Sequence, residues 1–293
     1  MSPAPRLDAL EVRRTLRQQG LRASHARSQN FLADPDVLQA ILDLADVQPD
    51  TRVLEIGPGL GILTGGLLDG GARVTAIELD RGLAAYLRER FADAIGDGRL
   101  DLIEGDALDQ SLPDLLAPPF RVVANIPYHI TSPILHRFLE RAPRPERLVL
   151  MVQAEVADRL AAAPGDMSYL GVFAQYHATV RVALRVPREA FEPAPKVASA
   201  VVVLEPHDAS PLPANDEERL WGLVQAGFRE RRKMLRNVLG RQLHTDPDGA
   251  SGQLFGQVRV DAALAGAGIA GDRRPQTLAV DYWLRLLAAL RHA

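Results

Sequence analysis

Cysteine is absent from this 293-residue chain. Disulfide frameworks, thiolate metal sites and cysteine nucleophiles are therefore excluded. Lysine is almost absent: of 34 basic residues only Lys196 and Lys233 are lysines, and all the others are arginine. Genomic base composition is the bland cause of that bias, and it makes the two surviving lysines worth locating. No apolar run reaches the ~18 residues of a membrane-spanning helix. The first thirty residues carry Arg6, Arg13, Arg14, Arg17, Arg22 and Arg27 without an apolar core segment. No secretory leader is expected from them, and cytoplasmic residence is the default. A net charge of −3 offers nucleic acid no overall attraction, although clustered charge can still do so. What remains is ordinary for a globular protein, with 47% hydrophobic and 24% charged residues. The length suits one large domain and a smaller one.

Apolar periodicity alternates between strand and helix along most of the chain. Asp34-Pro35 has the form of a helix start, with Asp34 as N-cap and Pro35 at the first helical position. Strands are expected at 52–56, 73–77, 100–104, 121–124 and 147–152, with helices between them. Such alternation implies a parallel sheet with right-handed crossovers. Residues 179–187 and 197–204 read as two more strands forming a hairpin-like edge. The Pro-rich stretch 206–212 reads as a linker, and the pattern beyond it is helical. The expected organisation is a basic arm (1–27), an α/β domain (28–205), that linker, and a C-terminal all-helical domain (213–293).

Three expected strand ends carry ligand chemistry. The first strand runs into Gly57-Pro58-Gly59-Leu60-Gly61, where glycines let the backbone approach a ligand. The spacing G-x-G-x-G differs from the dinucleotide fingerprint, which favours S-adenosylmethionine over a pyrophosphate cofactor. Glu78 ends the second strand and can accept from ribose hydroxyls; Asp106 follows the third and can accept from an adenine amine. Together these imply a Rossmann-like methyltransferase sheet, with a nicotinamide or flavin enzyme as the alternative. A tight turn with surface acids explains one such acid easily and two poorly.

Beyond the fourth strand come Asn125-Ile126-Pro127-Tyr128. The Asn125 amide oxygen and the Ile126 carbonyl can both accept from one –NH₂ group. Pro127 fixes φ and lacks an N–H. Tyr128 offers a flat face for a base. The set suits methyl transfer to an adenine amine; the competing reading is an Asn-Pro turn closing a strand. Phe191 in its Pro-rich stretch is the expected second stacking face, with a core aromatic as the alternative. Phe228 to Asn237 holds Arg229, Arg231, Arg232, Lys233 and Arg236 on an expected helix, as phosphate contacts or as a solvated face. The N-terminal arginines are a second candidate contact.

In order, the chain contains Gln29-Asn30-Phe31-Leu32, Glu55-Ile56-Gly57-Pro58-Gly59-Leu60-Gly61, Glu78-Leu79-Asp80-Arg81, Gly105-Asp106-Ala107, Asn125-Ile126-Pro127-Tyr128, Phe191-x-Pro193-x-Pro195-Lys196-Val197 and Phe228-x-x-Arg231-Arg232-Lys233. This series resembles the small-subunit (16S) ribosomal RNA adenine N6,N6-dimethyltransferases. The resemblance implies S-adenosylmethionine contacted by Asn30, Leu32, Gly57, Gly59, Glu78, Asp106 and Asn125, with no metal. It implies RNA contact by the basic cluster and Lys196. It also implies the substrate: two adjacent adenosines in the 3′-terminal hairpin of 16S rRNA, within an immature 30S subunit, methylated by a monomer. Ser28 stands where Gly is usual, Ala154 where Lys is common, and Met167-Ser168-Tyr169-Leu170 replaces a usual Tyr-Gly-x-Leu. None removes a group the chemistry needs, though Ala154 puts one RNA contact in doubt. The rivals are a large-subunit (23S) rRNA methyltransferase and a non-catalytic assembly factor on the same fold.

Overall fold

A computed structural model describes residues 8–21, 23, 29–110, 116–127, 130–242 and 257–292. The first elements are α1 (Ala9–Gln18), β1 (Phe31–Leu32), α2 (Pro35–Ala45), β2 (Arg52–Ile56), α3 (Ile62–Asp69), β3 (Arg73–Glu78), α4 (Arg81–Arg90), α5 (Ala92–Gly96) and β4 (Leu100–Glu104). Then follow β5 (Arg121–Asn125), α6 (Thr131–Glu140), β6 (Arg147–Gln153), α7 (Ala154–Leu160), α8 (Tyr169–His177), β7 (Ala178–Val186), β8 (Phe191–Glu192) and β9 (Ser199–Pro206). The last helices are α9 (Ala214–Phe228), α10 (Leu235–Gln242), α11 (Gln257–Gly266) and α12 (Val280–His292).

Seven strands form one sheet in the order β4-β3-β2-β5-β6-β9-β7. Strands β2 to β6 pair in parallel, and β9 lies antiparallel to both β6 and β7. The order reverses between β2 and β5, and at such a switch point the crevice beyond the strand ends is open to a ligand. Burial on both faces explains the unbroken apolar runs: in β6, Leu148 to Val152 are all at most 1% exposed. On one face α2 and α3 contribute Val37, Ile41, Leu63 and Leu67, packed with Val53, Val74, Val123 and Val149. Asp34 caps α2 as expected, accepting from Asp36 N–H at 2.9 Å and Val37 N–H at 3.1 Å.

The expected edge hairpin is altered in one respect. β7 and β9 do pair, but β9 is internal, and the chain between them leaves the sheet so that β8 pairs with β1. The organisation also departs from a simple succession of domains. One compact unit comprises Met1–Ala157 and Ala178–Pro206, the other Asp158–His177 and His207–Ala293. Residues 158–177, expected within the α/β domain, belong to the helical unit because Met167, Val172 and Tyr176 are buried with Leu220, Leu223 and Trp283. Ser168, one of the departures noted above, has its hydroxyl accept the Gly171 N–H at 3.1 Å near the start of α8.

The expected linker 206–212 is fastened rather than free. Pro206 completes β9, Leu212 packs on the helical core, and the Ser210 hydroxyl bonds Tyr176 Oη (3.0 Å) and Glu217. In the helical core Trp283 lies so near Gly227 that a Cβ there would stand 2.5 Å from the indole. Among the described residues no helix is long and apolar enough to cross a membrane.

Candidate active site

The carboxyl ends of β4, β3, β2 and β5 open on one cavity, lined among others by Asn30, Leu32, Gly57, Gly59, Glu78, Asp106, Asn125, Ile126 and Pro127. Every expected cofactor residue is therefore brought to one place, although the motifs lie as far apart in the chain as 30 and 125. Four neighbouring strands ending at the same edge deliver Gly57, Gly59, Glu78, Asp106 and Asn125, and the β1 segment, paired with β8 outside that sheet, brings Asn30 and Leu32.

After β2 the chain turns through Gly57, Gly59 and Gly61 with φ of 66°, 61° and 73°, a region costly for any residue with a Cβ. Space forbids side chains as well. A Cβ on Gly59 would lie 3.0 Å from the Phe31 ring, and one on Gly61 would lie 2.4 Å from Phe91. The turn is thus stapled between β1 and α4, with Arg90 donating to the Leu60 carbonyl.

Glu78 is only 5% exposed. Its Oε2 accepts from Gly59 N–H at 3.0 Å and its Oε1 from Asp80 N–H at 2.8 Å. Burial pushes its pKa up, and these two backbone donors pull the other way. A carboxylate oxygen accepts more than one bond, so both oxygens retain capacity toward a diol. Asp106 Oδ1 accepts from Leu108 N–H at 2.9 Å.

Asn125 ends β5, and its Nδ2 donates to the Asn30 carbonyl at 3.3 Å. That contact fixes the amide so that Oδ1 is the acceptor left for a ligand. Ile126 is 1% exposed, and its N–H donates to Met151 O at 3.1 Å. Pro127 O accepts from Ile130 N–H at 3.1 Å, closing the turn. Tyr128 and Ser28 lie outside the described residues.

Phe191 is a correction. It was expected as an open stacking face, yet it is 2% exposed, paired with Leu32 across the β1–β8 ribbon and packed in the core. The Pro-rich stretch does not hold it out; it turns it in, because an aromatic side chain buries more apolar area than it can by lying on the surface.

Glu55 went unremarked in the sequence except as part of a motif. It is 1% exposed and lines the cavity, accepting from Thr64 Oγ1 at 2.7 Å. Burial raises its pKa from an ordinary 4.5 to about 8, with Glu78 adding repulsion, so it is largely protonated at neutral pH. The signal was present in the sequence: a lone acid inside an apolar strand, with a hydroxyl nine residues on in the next helix. Among the described residues no group of three His, Cys, Asp or Glu could hold a metal ion.

A family model for ribosomal RNA adenine dimethylase matches residues 21–262. The chain belongs to that family. Its relatives include the ribosomal RNA small subunit methyltransferase A of Geobacter metallireducens, 41% identical over 94% of this chain and 98% of that protein. The protein of the same name from Parasynechococcus marenigrum is 42% identical over 93% and 88%. Among solved structures, the 23S rRNA methyltransferase ErmE superposes with a TM-score of 0.69 at 32% identity, covering 89% of this chain and all of that one. A dimethyladenosine transferase from Plasmodium falciparum gives 0.73 at 28% identity, covering 89% and 98%.

For a dimethylase of this family the basic residues matter too, and here the local structure differs from expectation. Phe228 ends α9 and Leu235 begins α10, so Arg229, Arg231, Arg232 and Lys233 occupy the turn between two helices, with Arg236 in the first turn of the second. All five are exposed. The buried residues Gly227 and Leu235 anchor the turn at both ends. Arg231 donates to Met167 O at 3.4 Å, and Glu230 pairs with Arg241 at 2.9 Å, which removes the one acid from competition with the cluster. Lys196 is exposed in the loop between β8 and β9.

Proposed function

We propose that this chain dimethylates the exocyclic amines of two adjacent adenosines in the 3′-terminal hairpin loop of 16S rRNA, using S-adenosylmethionine, while the small subunit is still immature. The reading places it in the cytoplasm and as a monomer. The observation that carries it is the convergence of Asp106, Glu78, the glycine turn and Asn125 from four neighbouring strands onto one cavity. The residues fit the methyl donor. Glu78 is set to accept from its ribose, Asp106 from its adenine amine, and the glycine turn leaves the backbone bare against it. When bound it supplies an electrophilic methyl group.

The chain's own part is to make a poor nucleophile competent. The adenine amine lone pair is delocalised into the ring. Acceptance of its two N–H bonds by Asn125 Oδ1 and the Ile126 carbonyl favours a pyramidal nitrogen with its lone pair toward the methyl. This is preorganised positioning, and it requires no general base before transfer. The base must first leave its stack, at a cost of a few kcal/mol that is least in a loop. Stacking on Tyr128 offsets roughly 1–3 kcal/mol of that. After one transfer the donor has left as S-adenosylhomocysteine, and once the methylated nitrogen has lost a proton to water a single N–H remains. The neutral Asn125 amide gives up one hydrogen bond without stranding a charge, which permits the second methyl.

The basic turn at 229–236 and Lys196 are the proposed phosphate contacts. The test is incubation of the protein with radiolabelled S-adenosylmethionine and undermethylated 30S subunits, followed by nucleoside digestion. Dimethyladenosine confined to the 3′-terminal hairpin is expected. In a parallel incubation with unmethylated 23S rRNA, label there alone would move the chain to the activity of the 23S enzyme it resembles, and no label in either incubation would reject both.

A further inference from the structure

The N-terminal helix carries Arg13, Arg14 and Arg17 of the candidate RNA-contacting arginines, and one side of it packs within the α/β unit; Arg6, Arg22 and Arg27 lie outside the described residues. Val12 is 3% exposed and packs with Phe31, Leu60 and Leu83. Those three residues also line the cofactor cavity. Arg13 pairs with Glu192 at 2.9 Å, and Glu192 stands opposite Phe31 in the β1–β8 ribbon. Leu21, just beyond α1, lies 3.0 Å from where a Cβ on Gly82 would stand, in the first turn of the helix that follows Glu78. The other arginines of α1 are turned to their own helix: Arg14 lies 3.9 Å from Glu11, and Arg17 donates to Arg13 O.

We propose that α1 is a positioning element of the cofactor site: Val12 and Arg13 hold the β1–β8 ribbon, and with it the Phe31 ring, down on Gly59. Gly59 and Gly61 have no side chains to pack, so the shape of the turn depends on the buried Leu60, which packs with Val12 and Phe31, and on what presses on the glycines from outside. Arg90 and Phe91 hold one side. Phe31 holds the other, and α1 is the layer behind Phe31. Undocking α1 frees the ribbon carrying Asn30 and Leu32 as well as the ring. The consequence is weaker binding of the nucleoside cofactor, with no direct effect on RNA. This inference rests on reading the cavity as the S-adenosylmethionine site.

The test measures binding of S-adenosylhomocysteine by calorimetry without RNA, and binding of 30S subunits separately, for the full chain. Val12→Asp places a charge in the buried contact, and a loss of about tenfold or more in nucleoside affinity is expected. Arg13→Glu breaks a half-exposed ion pair, and a loss of about threefold is expected. The double variant Arg13→Glu with Glu192→Arg is expected to recover wild-type affinity. Subunit binding is expected to stay within about twofold throughout, since no phosphate contact is removed. Unchanged nucleoside affinity in both single variants overturns the proposal. So does a loss of subunit binding in Arg13→Glu with nucleoside affinity intact, which would restore α1 to an RNA arm. If Val12→Asp fails to fold, Arg13→Glu and its charge-swapped partner decide alone, because Arg13 is half exposed and Glu192 is only partly buried. A wild-type protein that binds no S-adenosylhomocysteine would instead reject the cofactor-site reading itself.

Discussion

In the α/β unit two carboxylic acids, Glu55 and Glu78, are buried beneath a glycine turn with three positive φ angles. In the helical unit the interior is Trp283, Leu220, Val224, Leu235, Leu239 and Leu286, none of them measurably exposed, and the charge is outside on the Arg231–Lys233 turn. The first arrangement costs stability, since each buried acid is held away from water and three positions of the turn have the positive φ that favours glycine. The second is close-packed hydrocarbon, which stabilises. A site for a polar nucleoside needs groups that are partly desolvated and rigid. A surface that grips phosphate needs charges that stay in water. On the proposed reading the α/β unit meets the first demand and the basic turn of the helical unit meets most of the second, with Lys196 as the contact that the α/β unit adds.

Four substitutions can break or sharpen that contrast. The largest effect is expected for Trp283→Ala, which empties the centre of the helical core. A loss of about 3–5 kcal/mol is expected, seen as early melting of the helical unit. S-adenosylhomocysteine should still bind the α/β unit; loss of both together would show that the division of labour is wrong.

Asn125→Ala should lower kcat by about 10²–10³-fold, the scale of removing one preorganised polar group at a reacting centre. Subunit binding measured by filter retention should be kept. Retained turnover would refute the amine-holding role.

Neutralising Arg231, Arg232 and Lys233 together should weaken subunit binding and flatten its salt dependence by roughly 0.7 log units of slope per lost single-strand phosphate contact. Nucleoside affinity should not move. A slope identical to wild type would reduce the turn to a solvated face.

The last test concerns Glu55 and depends on pH. Its folded pKa of about 8 exceeds the ordinary 4.5, so between those values the folded protein holds a proton that the unfolded chain has released. Folding stability therefore falls as pH rises across that window, by up to about 1.4 kcal/mol per unit from this group. Glu78, also shifted upward, adds a slope of the same sign. Glu55→Gln removes the titration while its amide oxygen can still accept from Thr64. Melting temperatures of variant and wild type should diverge as pH is raised from 5 to 8.5. Parallel curves would mean Glu55 is ionised in the folded state.

Much of the α/β unit was legible because strand burial and helix capping are local. Asp34-Pro35 marks the start of α2 on its own, and five of the parallel strands fall within a residue or two of where apolar runs place them. Phe191 was misread because exposure is not local: the same Pro-rich stretch would hold a ring out or fold it in, and pairing with Leu32 from 159 residues earlier decides. The basic cluster was placed on a helix because its arginines favour helix and nothing in the segment breaks one. The turn arises from the need to bury Gly227 and Leu235 with Trp283, which no window of sequence contains.

By itself the sequence determined which chemical groups are present, their order, and their family, since ordered motifs survive without reference to distance. It determined that Asn125 and Glu78 end strands and that Asp106 closely follows one. Only the tertiary structure decided that those strands are neighbours and that the sheet order reverses between β2 and β5, opening the crevice there. It alone decided that 158–177 leaves the α/β unit and that α1 packs behind Phe31 and Leu60 of the glycine turn. The physical reason is common to all of these. Apolar surface is buried wherever a partner is found, and partners far apart in the chain are chosen by packing, which is a property of the whole fold.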